Sequence, residues 1–164
     1  LELYNMSERI DHMHQVPALT QKLTELTLVL KKGSVEQGIL SLVEIRASQL
    51  NGCAFCLDMH IKQARLHGER ELRLHHVAIW RESLLFNDRE RAALEWTEAL
   101  TRLLPHGVPD EIYAKARAQF SDDEMVYLTY MVMVINAWNR ASIAFQSMPG
   151  SQDKVFGLDK AGLS

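Results

Sequence analysis

Four residues in this sequence have the types and spacing for chemistry. Cys53 and Cys56 are the chain's two cysteines, His60 follows four residues after the second, and Glu44 stands nine residues before the first. Residues three and four apart share one face of a helix, so Cys53, Cys56 and His60 line a single stripe. Two thiols one turn apart with a base beside them make either a dithiol redox pair or half of a metal site. Thiolate is the nucleophile towards a peroxide or a disulfide, and it needs a base or a positive potential to be populated near neutrality. A second thiol within reach resolves a sulfenic acid as a disulfide before overoxidation. Histidine titrates in the useful range, and a carboxylate beside it fixes its tautomer and raises its pKa. Two other readings stand next to this one. The cysteines can be buried structural residues, and Cys53, Cys56, His60 and Glu44 are a conceivable zinc set. Zinc is disfavoured because three N/S ligands on one continuous helix face are uncommon in tetrahedral sites, and the sequence holds no second Cys/His pair. The short-spaced His12/His14 and His75/His76 pairs read as surface or partly buried side chains.

The chain must turn for Glu44 to join the others. In one unbroken helix the nine residues from Glu44 to Cys53 place them on opposite sides, at about 100° per residue. Asn51-Gly52 supplies the break, because glycine accepts the left-handed backbone just past a helix end. Cys53 then opens the next helix, where the positive end of the dipole favours thiolate. Glu44 lies roughly 10 Å back along one helix and His60 roughly 10 Å along its antiparallel partner, at about 1.5 Å per residue. The two therefore face each other at one height. That order suggests a proton path from Glu44 to His60, then Cys56, then Cys53. Cys53 is favoured as the attacking sulfur, being nearer the helix start and expected to be the more exposed; Cys56, closer to His60, is the alternative.

The rest of the chain reads as helical. Leu19, Leu23, Leu26 and Leu30 form an apolar stripe, closed by Lys31-Lys32-Gly33. Ser34 and Gln37 suggest a capping box, as do Asn87 with Glu90 and Ser121 with Glu124. The helix after Ser121 is apolar nearly all round from Met125 to Ile135 and is expected to be the central buried one, with Met125, Met131 and Met133 in the core or lining a pocket. Pro149-Gly150 should end it. Hydrophobic residues make up 47% and charged residues 24% of the 164 residues, which places the chain among ordinary soluble globular domains. With a net charge of -3 and no basic stripe, a nucleic-acid partner is not expected. No apolar run is long enough to span a membrane, and the first residues do not read as a secretory signal, so a cytoplasmic protein is expected. The fold class is all-α, in one domain over residues 1–164. Its core covers about 9–147, and residues 1–8 and 148–164 form loosely ordered or oligomer-contacting tails.

These residues resemble a known family. The segment Val43–His60, with Ala78–Glu82, Glu90–Ala99 and Ile135–Arg140, is similar to the AhpD-like alkylhydroperoxidases of the carboxymuconolactone decarboxylase superfamily. The likeness spans about residues 9–147. It implies a compact bundle of about six to seven helices per subunit, assembled as a trimer or hexamer. It also implies thiol-dependent reduction of hydroperoxides, with Cys53 and Cys56 as the redox pair and His60 and Glu44 as the proton relay. Electrons would come from a dithiol donor, such as a lipoyl or thioredoxin-like protein, with no cofactor beyond the redox-active Cys53–Cys56 disulfide. Decarboxylase-type members lack the cysteine pair, which argues against that activity here. In some members the relay acid stands one turn further upstream, where this chain has Ser41. Trp80, Trp138 and Asn139 fall in matching stretches, and packing is the favoured role for the tryptophans.

Overall fold

The computed structural model describes residues 7–163. Its elements are α1 (His12–Gln15), α2 (Pro17–Lys31), α3 (Gln37–Asn51), α4 (Ala54–Leu66), α5 (Glu71–His76) running into a 3-10 turn (Val77–Ile79), α6 (Asp88–Thr101), α7 (Asp110–Gln119), α8 (Asp122–Phe145), α9 (Asp153–Phe156) and a closing 3-10 turn (Leu158–Ala161). Among the described residues there is no β-strand, and six of the helices run ten residues or longer, an all-α bundle of the expected kind.

The centre of the bundle is α3, which packs against α4, α6 and α8. Its run from Ile39 to Ile45 is buried residue for residue, with Ala47 and Ser48. The sequence pointed to α8 as the central helix, and the structure corrects this. One face of α8 buries Met125, Leu128, Met131, Val132, Val134 and Ile135, whereas Val126, Tyr130 and Met133 stand open on the other. Residues spaced by four and three share a face, so this is a second apolar stripe rather than a second core side. The α2 stripe is also thinner than its periodicity implies: Leu30 is buried, but Leu19 and Leu26 are exposed.

Local capping explains where α6 and α8 begin. Asn87 and Ser121 each accept the N3 backbone N–H while Glu90 and Glu124 reach back to the cap, opening α6 and α8 with true capping boxes. The third expected box does not form. The α3 helix starts at Gln37 after Glu36, with no side-chain cap. The Glu36 carboxylate instead takes Arg89 Nη2 at 2.9 Å, tying this turn to α6. Nor does Pro149-Gly150 end α8, which stops at Phe145 with Gln146 in the left-handed conformation.

The described part of the C-terminal segment, 148–163, is not the loose tail expected there. It folds back on α4 of its own chain, burying Leu158 and Ala161. Lys62, itself buried, anchors it by donating to Asp153 at 2.6 Å and to Asp58 at 2.8 Å. The expectation for residues 1–6 lies outside the described residues. No described helix is long and apolar enough to cross a membrane.

Candidate active site

The turn between α3 and α4 places the dithiol. Gly52 has φ 69° and ψ 31°, a conformation that costs glycine little and other residues about 1 kcal/mol or more. The Gly52 N–H donates to the Gln49 carbonyl at 3.2 Å and the Cys53 N–H to the Ser48 carbonyl at 3.0 Å, the two bonds of a Schellman closure. Cys53 is then the N-cap of α4, and its sulfur accepts the Cys56 N–H at 3.3 Å. The two cysteines are joined as a disulfide, with Cα atoms 5.4 Å apart.

A buried polar network fixes this turn against α8. Asn51 Nδ2 donates to Asn139 Oδ1 at 2.9 Å and to Asn136 Oδ1 at 3.0 Å. Asn139 Nδ2 donates to Ser48 Oγ at 3.0 Å, and Ser48 Oγ donates to the Glu44 carbonyl at 2.7 Å. Asn139 and Ser48 have no exposed surface. Asn139 therefore does more than pack: it links the dithiol turn and the Glu44 turn to one rigid helix.

The reversal brings Glu44 and His60 together as the helical rise required. Glu44 Oε2 lies 3.5 Å from His60 Nδ1, and both side chains are buried. Two further residues join them that the sequence reading did not single out. Gln63 Oε1 is 3.0 Å from the same His60 nitrogen. Lys31 Nζ lies 3.1 Å from Glu44 Oε1. With two oxygen acceptors at Nδ1, the neutral ring keeps its proton there, which leaves Nε2 as the basic nitrogen. Burial pushes the His60 pKa below its ordinary 6.5; Glu44 pulls it upward, and Lys31 adds to the depression. The net direction is down, against the upward shift expected from the carboxylate, because loss of hydration outweighs one partner. Ser41 is no substitute for Glu44. Its hydroxyl faces Gln37, at 3.4 Å from the amide nitrogen, and it does not line the cavity.

A cavity of about 150 Å³ opens onto this group. Glu44, His60, Lys31, His12 and Gln63 are among its polar groups, Cys56 lies on it, and Met13, Phe55, Met59, Trp138 and Phe156 form much of its apolar wall. Trp138, expected as packing, is thus also a pocket wall, held by an indole N–H donated to Thr27 Oγ1 at 3.1 Å. Trp80 is structural: it lies off this cavity, and its indole donates to Glu98 at 2.8 Å. Exposure does not single out Cys53 as the attacking sulfur. Cys53 is 2% and Cys56 1% exposed, and Cys56 is the cysteine that lines the cavity. Among the described residues no three His, Cys, Asp or Glu side chains are grouped to hold a metal ion.

Comparison with known proteins follows the same lines. Residues 17–99 match the Carboxymuconolactone decarboxylase family, a span that contains all four predicted site residues and Lys31 and Gln63. The uncharacterized protein YdfG of Bacillus subtilis is 35% identical over 147 residues, covering 90% of this chain and all of that one. A crystal structure of a protein of unknown function from Agrobacterium tumefaciens, suggested to be the antioxidant defence protein AhpD, superposes with a TM-score of 0.84. It is 36% identical and covers 87% of this chain and 98% of that one. A debrominase solved with 2,3,4-tribromopyrrole shares the fold at a TM-score of 0.76 and 17% identity, covering 91% of this chain and 79% of that one. The matched span, the relatives and the all-helical architecture converge: the chain belongs to the carboxymuconolactone decarboxylase family, as an AhpD-like member.

Proposed function

We propose that this protein is a dithiol peroxidase that reduces organic hydroperoxides, with Cys56 attacking and Cys53 resolving. The observation that carries this reading is a joined Cys53–Cys56 pair whose inner sulfur shares one cavity with a buried histidine–carboxylate pair. In the reduced protein, unprotonated His60 takes the Cys56 thiol proton. The thiolate attacks the terminal peroxide oxygen; the S–O bond forms, the O–O bond breaks, and the alkoxide leaves with the proton from His60 as an alcohol. Cys53 then attacks the Cys56 sulfenic acid and water departs, leaving the disulfide. A donor dithiol returns two electrons and two protons. Glu44 steadies the imidazolium while it exists.

The cavity favours an apolar, uncharged substrate, since its walls are aromatic and Met-rich and Lys31 and Glu44 neutralise each other. Its tight cover also bears on the electron donor. With both cysteines almost fully buried, a slender lipoyl arm suits the site better than a flat protein surface. A lipoyl-type dithiol is therefore the proposed reductant, ahead of a thioredoxin-like protein. The open Val126, Tyr130 and Met133 stripe on α8, with exposed Leu28 and Val29 on α2, supports a homo-oligomer.

Steady-state assay with dihydrolipoamide and cumene hydroperoxide tests the reading. Turnover that disappears in both Cys53→Ser and Cys56→Ser is expected. Turnover no faster than that of the reagents alone would overturn it.

A further inference from the structure

Lys31 ends α2, away in sequence from the dithiol, yet its ammonium lies 3.1 Å from Glu44 Oε1. The other Glu44 oxygen faces His60 Nδ1 at 3.5 Å. Glu44 is therefore shared between a fixed cation and the imidazole. The lysine side chain is 23% exposed and the glutamate 4%, so the pair sits where water screens it little. Of the residues lining the cavity, Lys31 is the one permanent cation.

We infer that Lys31 is a positioning residue of the relay: it holds the Glu44 carboxylate in register with His60 and keeps His60 an unprotonated base until the thiol gives up its proton. The inference rests on the peroxidase reading for its purpose but not for its geometry. Without Lys31, the buried carboxylate has only His60 to neutralise it, and the pair takes up a proton before any thiol supplies one. Histidine would then enter the reaction already charged, unable to accept. The depressed His60 pKa agrees, since Lys31 acts on it in that direction.

His60 shares the cavity with side chains from several elements. They are Glu44 from α3, Lys31 from α2, His12 from α1, and Cys56 and the neutral Gln63 from α4 itself. From α8 come uncharged Trp138 and Ser142, and from α9 Phe156. Lys31 is thus the cation whose removal most alters the balance between Glu44 and His60.

The test is NMR titration of the His60 ring in the oxidised full-length protein, with the signal assigned by its loss in His60→Asn. Lys31→Met should raise the midpoint by about one pH unit, and Lys31→Arg should restore the wild-type midpoint. Lys31→Gln, which keeps a donor for Glu44 without the charge, should shift like Lys31→Met and serves if that variant does not fold. An unshifted Lys31→Met or Lys31→Gln titration, or an Lys31→Arg shift as large as theirs, overturns the inference. The titration uses no peroxide. A shift seen in a protein without peroxidase turnover leaves the Lys31 role standing while the peroxidase reading falls.

Discussion

Replacing His60 with asparagine should remove a specific part of the protein's acid sensitivity. His60 is buried, and desolvation holds its folded-state pKa below the ordinary 6.5. An unfolded chain therefore binds a proton at this residue that the folded chain refuses. Stability from this source is fully present above the unfolded pKa and is lost as pH falls through the window from 6.5 down to the folded pKa. The slope within that window approaches about 1.4 kcal/mol per pH unit for one proton. Between about pH 7 and about pH 5.5 the loss in the wild type from this residue is at most about 1.3 kcal/mol, because the unfolded imidazole is only partly charged at the upper end. The carboxylates common to both proteins largely cancel in the comparison. Urea unfolding of oxidised wild type and His60→Asn at the two pH values measures it. The wild type should lose up to that amount more than the variant on acidification. Equal losses would refute the claim that burial outweighs Glu44, and a smaller loss in the wild type would show that the carboxylate wins.

Further outcomes follow from the supports around the site. Asn139→Ala withdraws partners from Asn51 and Ser48 deep in the structure, and should cost about 2 kcal/mol in urea unfolding at neutral pH; a loss under about 0.5 kcal/mol would refute its anchoring role. Lys62→Met leaves Asp153 without its cation, so amide exchange across 153–161 should quicken about tenfold while that of α3 stays unchanged. Unchanged exchange in that segment would show that Leu158 and Ala161 hold it alone. If the proposed homo-oligomer forms through the open α8 stripe, Tyr130→Glu, which puts a charge there, should lower the solution mass to that of a monomer, as read by light scattering; an unchanged mass would refute the stripe as a subunit contact.

What could be read from the sequence was what local geometry decides. Gly52 marks the turn because few other residues accept its φ of 69°. Once the turn is placed, helical rise alone sets Glu44 opposite His60. The capping boxes at Asn87 and Ser121 are likewise contained within four residues. Misreadings arose where a distant group competes. Glu36 is engaged by Arg89, fifty-three residues away, and the Ser34 box gives way. In the sequence Lys31 is a cation at a helix end, and its pairing with Glu44 depends on how α2 crosses α3. Gln63 sits one turn beyond His60, a signal that was present but shared by many surface glutamines. Periodicity does not distinguish a core face from a second apolar face, so it points Met133 inward where the structure has it exposed. The direction of the His60 pKa required its burial, which no spacing reveals.

Single-turnover mixing of the fully reduced protein with one equivalent of cumene hydroperoxide, followed by intact mass and product analysis, bears most directly on the central claim. The account predicts loss of two hydrogens per chain, a Cys53–Cys56 disulfide and one equivalent of cumyl alcohol. In Cys53→Ser the gain of a single oxygen should fall on Cys56. Disulfide formation no faster than oxidation of free cysteine, or oxygen trapped on Cys53 alone in Cys56→Ser at the wild-type rate, would contradict it.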